Sequence, residues 1–249
     1  MKISVITVCY NSAKTIKDTM DSVRGQTYDK IEHILVDGGS TDGTLDIIGS
    51  YHDSSVKLIS EPDNGIYDAM NKGIRLATGD FVGILNSDDV FASADTIADL
   101  VNFLSRNIGI NGSYGDLVYV QREQIGKVTR FYSSEKFAPW KIRFGLILPH
   151  PTLYVRPEIF KKFGFYKLDY RVAADFEMVT RIITRGEKLG RNPRVMVKMR
   201  EGGISSTGFW WRVHQNLEIV RACRENGIYT NIFLVMLKIP FKLASYLQR

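Results

Sequence analysis

The first hundred residues alternate between two hydrophobic periods. "ISVITV" (3–8) is an apolar run of strand length. Ile16, Met20 and Val23 then fall at i, i+4 and i+7, which predicts a helix stopped by Gly25. "EHILVDGG" (32–39) predicts a second strand, and "STDGTLDIIGSY" a short helix with Ser40 or Thr41 as its cap. "VKLISE" (56–61) predicts a third strand. Ile66, Met70 and Ile74 share one face of the next helix, with Asp63 placed to cap it and Gly79 near its stop. "FVGIL" (81–85) predicts a fourth strand, and Ile97, Leu100, Val101 and Leu104 mark the helix after it. Strand–helix alternation with short links predicts a mostly parallel α/β sheet covered on both faces. Ligands of such sheets bind beyond the carboxyl ends of the strands.

After residue 110 the rhythm changes. "SYGDLVYV" (113–120) and "GKVTRFY" (126–132) predict a hairpin, and "PHPTLYVR" (149–156) a further strand. Pro157 opens a helix that Gly164 closes. Residues 175–186 predict a helix with Phe176, Val179 and Ile183 on one face. A strand at 194–199 and a long helix near 208–226 complete the pattern. No repeat or low-complexity linker divides the chain. Its last 22 residues are densely apolar but broken by Lys238, Pro240 and Lys242, too interrupted to span a bilayer. Two readings stand for that segment: a helix packed on the domain, or an interfacial element with Lys238, Lys242 and Arg249 near lipid headgroups.

Composition narrows the classes. The 249 residues are 44% hydrophobic, ample for one core, and carry a formal charge of +6. That balance suits nucleic acid, phosphorylated ligands or an anionic membrane, without choosing among them. Cys9 and Cys223 alone form neither a disulfide framework nor a zinc spacing, which points to a reducing compartment. "MKISVITVCYN" lacks the long apolar core of a signal peptide and reads as a first strand.

The polar strand ends carry the candidate chemistry. They read Val8-Cys9-Tyr10-Asn11, Asp37-Gly38-Gly39-Ser40, Glu61-Pro62-Asp63-Asn64 and Asn86-Ser87-Asp88-Asp89. Adjacent carboxylates repel, so Asp88 and Asp89 suit a hard divalent cation shared with phosphate oxygens; helix capping is the alternative. Asp37 is either the end of a tight glycine turn or an acceptor for a base N–H or a ribose hydroxyl. Asp63 has the same two readings. Neither GxGxxG nor GxxxxGK[ST] occurs, so a metal would replace the phosphate-cradling turn.

Together the segments 4–11, 34–44, 61–80, 81–89 and 150–182 resemble the inverting nucleotide-sugar glycosyltransferases of family 2, most closely the bacterial members that build polysaccharide repeat units. The resemblance implies a GT-A fold over residues 1–205, with a nucleotide-binding half (1–110), an acceptor-side half (111–205) and a C-terminal helical extension (206–249). It implies Thr7, Asn11, Asp37 and Asp63 at the nucleotide, Asp88 on ribose or sugar hydroxyls, Asp89 on Mg²⁺ or Mn²⁺, and Asp175 as catalytic base. His150 and Trp210 are accessory candidates, with structural roles as the alternative. It further implies a UDP-sugar donor by default and a saccharide or lipid-linked saccharide acceptor. No nucleic-acid partner is expected, and the location would be cytoplasmic, at the inner membrane face with peripheral contact through 232–249. Two features depart from the family pattern. Gly38 stands where many members carry a second Asp, and Ala174 where an acid often precedes the base. The Gln-x-x-Arg-Trp motif of processive synthases is absent, which favours one sugar per encounter. A sugar-nucleotidyltransferase would need a basic, glycine-rich turn after the first strand, and "VCYNSAKT" offers none. A non-catalytic nucleotide-sugar-binding subunit is the other alternative.

Overall fold

The computed structural model describes residues 1–51, 56–202 and 209–238. Strands β1 (Ile3–Cys9), β2 (Ile31–Asp37), β3 (Val56–Ser60) and β4 (Phe81–Ile84) are parallel, in the order β3-β2-β1-β4. Helices α1 (Ile16–Arg24), α2 (Thr44–Gly49) and α3 (Ile66–Leu76) make the crossovers. Next come β5 (Val90–Phe91), α4 (Thr96–Arg106) and the hairpin β6 (Gly112–Gln121) and β7 (Gln124–Tyr132). Two 3₁₀ turns, Pro139–Phe144 and His150–Thr152, lead to β8 (Tyr154–Val155), α5 (Pro157–Phe163) and α6 (Ala174–Thr184). The described chain ends with β9 (Leu189–Arg200), α7 (Phe209–Glu225) and α8 (Ile232–Met236). The sheet continues from β4 as β8-β6-β9-β5, with β7 also on β6, and here parallel and antiparallel pairs mix.

The two-residue period of β1 sorts its side chains between two cores. Ile6 and Val8 pack with Met70 and Ile74 of α3 and with α6 and α7. Ile3 and Val5 pack with Phe81, Leu85 and the α4 residues Ile97, Leu100 and Leu104. Each such side chain contributes roughly 1.5–3 kcal/mol by leaving water. Gly83 lets β8 approach, because a Cβ there would lie 2.4 Å from the Tyr154 ring. Ala or any larger residue would force β4 and β8 apart.

Opposite the polar strand ends, Glu32 is a buried carboxylate. It accepts from Ser4 Oγ (2.6 Å), Lys57 Nζ (2.6 Å), Lys2 Nζ (3.1 Å) and the Thr78 N–H (2.8 Å). Burial raises its pKa, but the hydrogen bonds from Lys57, Ser4 and Thr78 outweigh it and hold the carboxyl well below the usual range. A depressed acid stabilises the fold above its unfolded pKa, about 4.3, and that contribution is lost as pH falls below it. Glu32→Ala is therefore expected to cost about 2 kcal/mol in neutral urea melts, with the deficit shrinking as pH falls below about 4. A pH-independent deficit would assign the loss to packing.

Several expected elements differ. Residues 149–156 do not form one strand. Pro149 and Pro151 lack ladder N–H groups, and the Thr152 hydroxyl instead bonds Pro149 O (2.8 Å) and the Gly115 backbone. Helix α2 begins at Thr44, where Asp42 Oδ1 accepts from the Thr44 N–H, and neither Ser40 nor Thr41 caps it. Asp63 does not cap α3, nor do Asp88 and Asp89 cap α4. Strand β9 starts five residues before its apolar core, and β5 was hidden in two residues. Among the described residues no helix is long and apolar enough to cross a membrane.

Candidate active site

Parallel register brings the ends of β1, β2 and β3 to one edge, with Cys9 opposite Asp37 and Asp37 opposite Ser60. The loop after β4 joins them through a 2.8 Å contact between Ser12 Oγ and Ser87 Oγ. Asn11 adopts a left-handed φ of 50°. Its N–H donates to Ser40 Oγ (2.8 Å) and its Oδ1 accepts from the Thr41 N–H (2.9 Å), clamping the loop after β2. Thr7 does not reach this edge. It is fully buried in β1, two residues short of the strand's end, with Oγ1 3.0 Å from His33 Nε2. Its expected place at the nucleotide is thereby corrected to one inside the sheet.

Asp37 is fully buried and its oxygens are occupied. Oδ2 accepts from the Gly39 and Ser40 N–H groups (both 3.0 Å) and from Ser60 Oγ (2.8 Å), while Ser40 Oγ donates to Oδ1. Burial raises its pKa, yet the hydrogen bonds from Ser40, Ser60 and Gly39 bring it below the ordinary value. With about four lone-pair directions filled, Asp37 shapes the loop whose backbone faces the site. At Gly38 a Cβ would lie 3.0 Å from Asp63 Oδ2 and 3.4 Å from the Tyr10 ring. The missing side chain thus leaves room for Asp63. Asp63 pairs with Lys72 of α3 (2.5 Å), which also reaches Glu61 (2.9 Å). Hydrogen bonds to Asp63 and then Glu61 hold the Lys72 ammonium well above its usual pKa.

Asp88 and Asp89 differ in burial. Asp89 is 1% exposed, with Oδ2 accepting from Asn86 Nδ2 (3.0 Å) and Oδ1 from the Arg200 N–H (3.3 Å). Burial, and then the Asp88 charge, hold its carboxyl well above the ordinary carboxylate range. Asp88 is half-buried and also raised, chiefly by burial, with its own N–H and the charges of Arg122 and Arg200 acting the other way. Asn86 Oδ1 is buried without a hydrogen-bond partner. A carboxylate that forms no ion pair among the described residues and an orphaned amide oxygen are hard, anionic or neutral oxygen donors, so this corner fits a divalent cation. Among the described residues no cluster of three or more His, Cys, Asp or Glu surrounds it, so diphosphate oxygens and water would complete the coordination.

Arg200, at the end of β9, ties this corner together. Its guanidinium donates to Asp88 O (2.7 Å), to Arg122 O (3.0 Å) and to the Asp18 carboxylate on α1. One buried cation therefore spans both halves of the chain.

Asp175 lies in the first turn of α6, whose cap is Ala173. Tyr67, in the first turn of α3 beyond the end of β3, donates to Val172 O (2.7 Å) and lies 3.3 Å from Asp175 Oδ1. This brings Asp175 to the same polar edge. The loop before it is held by Glu218 of α7, which accepts from the N–H groups of Arg171 (2.7 Å), Val172 (2.8 Å) and Ala173 (2.8 Å). Asp175 is half-buried, and no cation pairs with it among the described ion pairs. His150 is buried with Nε2 2.7 Å from Tyr166 Oη. Burial lowers its pKa despite the nearby Asp175 charge, so it is a neutral packing partner of Tyr166. Trp210 is 80% exposed on α7, whereas Trp211 has a buried, unpartnered Nε1.

Sequence reading had missed Tyr67, Glu218, Lys72 and Arg200. Tyr67 and Glu218 have ordinary helical contexts, so nothing local marks them. Arg200 carried one signal, a cation ending a strand just before Gly202-Gly203.

The family model described as glycosyl transferase family 2 matches residues 4–169. A PGL/p-HBAD biosynthesis glycosyltransferase of Mycobacterium tuberculosis is 33% identical over 209 residues, covering 82% of this chain and 79% of its own. The Escherichia coli UDP-Glc:alpha-D-GlcNAc-diphosphoundecaprenol beta-1,3-glucosyltransferase WfaP is 27% identical over 220 residues, covering 86% and 84%. The mannosyltransferase PcManGT of Pyrobaculum calidifontis, solved with GDP-Man and Mn²⁺, superposes with a TM-score of 0.70 at 21% identity. That superposition covers 99% of this chain and 73% of the mannosyltransferase. The architecture is the GT-A fold.

Proposed function

The chain belongs to glycosyl transferase family 2, and we propose that it moves one sugar from a nucleoside-diphosphate sugar to an acceptor hydroxyl with inversion. The observation that carries this reading is the pairing of an acidic corner, Asn86–Asp89, whose carboxylates take part in no ion pair among the described residues, with a second half-buried carboxylate, Asp175, at the same sheet edge. The loop shaped by Asp37 and Asn11, with Tyr10 and Asp63 beside it, holds the nucleoside. Mg²⁺ or Mn²⁺, when bound, would neutralise charge on the leaving diphosphate. The residues to hold it are Asp88 and Asn86. Sequence reading put Asp89 on the metal and Asp88 on hydroxyls; the burial of Asp89 favours the reverse, with Asp89 supporting its neighbour.

Asp175 accepts the proton of the attacking acceptor hydroxyl. Tyr67 and Glu218 fix its position in the first turn of α6. A single base and a single displacement give inversion. The UDP-Glc donor and diphosphoundecaprenol-linked acceptor in the name of the E. coli relative support a UDP-sugar and a lipid-linked saccharide here. Such an acceptor would bring the enzyme to the inner face of the cytoplasmic membrane. Nucleotide sugars screened by thermal shift with Mn²⁺, then assayed for nucleoside diphosphate release, test the reading. A UDP-sugar is expected to raise Tm and be turned over only with metal. Binding without turnover on any acceptor would favour a non-catalytic subunit instead.

A further inference from the structure

Away from the acidic edge, the 3₁₀ turn at Pro139–Phe144 packs against α8. Thr230 Oγ1 donates to Arg143 O (2.5 Å), and Val235 is the buried residue of α8, close against Gly145. The opposite face of α8 presents Phe233, Met236 and Leu237 at i, i+3 and i+4. With Trp140 and Tyr229 these side chains are 49–78% exposed. Beside Trp140 and Tyr229 opens a cavity of about 430 Å³, bordered also by Arg143, Ile183 and Ile228. Exposed apolar side chains gathered in this way mark an interaction surface.

Charge selects the partner. Residues 136–148 and 226–238 contain Lys136, Lys141, Arg143 and Lys238 and no Asp or Glu. Lys136 and Arg143 are exposed, and Lys141 lies 5.5 Å from the Trp140 ring. Lys238 takes no part, because it is buried and donates to Asn216 Oδ1 (2.6 Å), which corrects its expected place among headgroups. Aromatic side chains level with cations, with no carboxylate among them, suit the boundary between acyl chains and anionic headgroups. We propose that the face formed by Pro139–Phe144, Tyr229 and α8 docks on an anionic lipid surface. It seats the chain shallowly, with Trp140 and Phe233 inserted and Lys136, Lys141 and Arg143 at the headgroups. The surface includes the turn at Pro139–Phe144, far in sequence from the segment 232–249 to which sequence reading confined membrane contact. Residues 239–249 lie outside the described residues and are not required. The inference does not rest on the transfer reaction.

The test is sedimentation of the full chain with vesicles of phosphatidylcholine alone or with phosphatidylglycerol. Binding is expected only with phosphatidylglycerol, weakening as salt is raised. Trp140→Ser with Phe233→Ser, and separately Lys141→Glu with Arg143→Glu, should each lower the partition coefficient at least ~10-fold. Circular dichroism checks that each variant is folded. A chain carrying Trp210→Phe and Trp211→Phe gives an answer independent of those variants, since its Trp140 emission should be quenched by brominated lipid. Three results overturn the proposal: no binding to anionic vesicles, binding unchanged in both folded variants, or unquenched Trp140 on bound protein. A dimer that Trp140→Ser dissociates, without vesicle binding, would replace the lipid by a second copy. None of these outcomes bears on nucleotide-sugar turnover, which is assayed separately.

Discussion

Asp88→Ala is expected to abolish Mn²⁺-dependent binding of the nucleotide sugar and to lower kcat/KM by on the order of 10³-fold. Asp88 is the half-buried member of the acidic pair, and among the described ion pairs its carboxylate takes part in none, although the Arg122 and Arg200 charges act on it. Removing it would leave a bound cation one carboxylate short, since the adjacent Asp89 is buried and held by Asn86 and the Arg200 N–H. Asp89→Asn should behave differently. It removes a buried carboxyl whose ionised form Asp88 repels, and the new amide oxygen can still accept from Asn86 Nδ2, leaving Asn86 Oδ1 turned to the cation. Its stability is expected to stay within about 1 kcal/mol of wild type, roughly 2–4 °C in Tm. Its activity falls only as far as Asp88 is misplaced. Calorimetric titration of both variants with donor and Mn²⁺ separates the roles. Loss of metal-dependent binding in Asp89→Asn but not in Asp88→Asn would restore the order first read from the sequence.

Asp175→Asn is expected to retain donor affinity within about twofold and to lose transfer by roughly 10²–10⁴-fold. The amide keeps the size of the carboxylate and can still accept from Tyr67, so the loop held by Glu218 stays in place. Only the capacity to take the acceptor proton is removed. Single-turnover assays with saturating donor isolate that step. Turnover near wild type would end the assignment of Asp175 as base.

The first half of the fold was legible because its signals are local. Buried strands read as apolar runs, and α1 and α3 as one-sided spacings. The second half was harder, since prolines at 149 and 151 break a segment whose apolar content suggests a strand. Residues 189–191 pair with β6, yet of Leu-Gly-Arg-Asn-Pro at 189–193 only Leu189 is of strand type, so no alternation marks where β9 begins. At the site, the acids at the strand ends were readable one by one, and only packing could sort them. Asp37 and Asp63 are already engaged, and Asp89 is buried behind Asp88. The family resemblance implied a place at the nucleotide for Thr7, whose side chain lies within the sheet against His33. Glu218 was invisible, and Arg200 was marked only as a cation at a strand end, because both act on segments far away in the chain.

The reach of Arg200 also sets a timetable. Its N–H closes on Asp89 across 111 residues of chain. At about 5–20 residues per second on the ribosome, some 6–22 s separate the two in synthesis. Through most of that interval the nascent chain carries a sheet whose β4 edge still awaits β8, and bare edges recruit wrong partners. The polar loops around Asn86 and Asp88 at one end of that edge, and Asp80 at the other, are thus useful before there is any substrate. They keep an unfinished enzyme soluble until its last strand arrives.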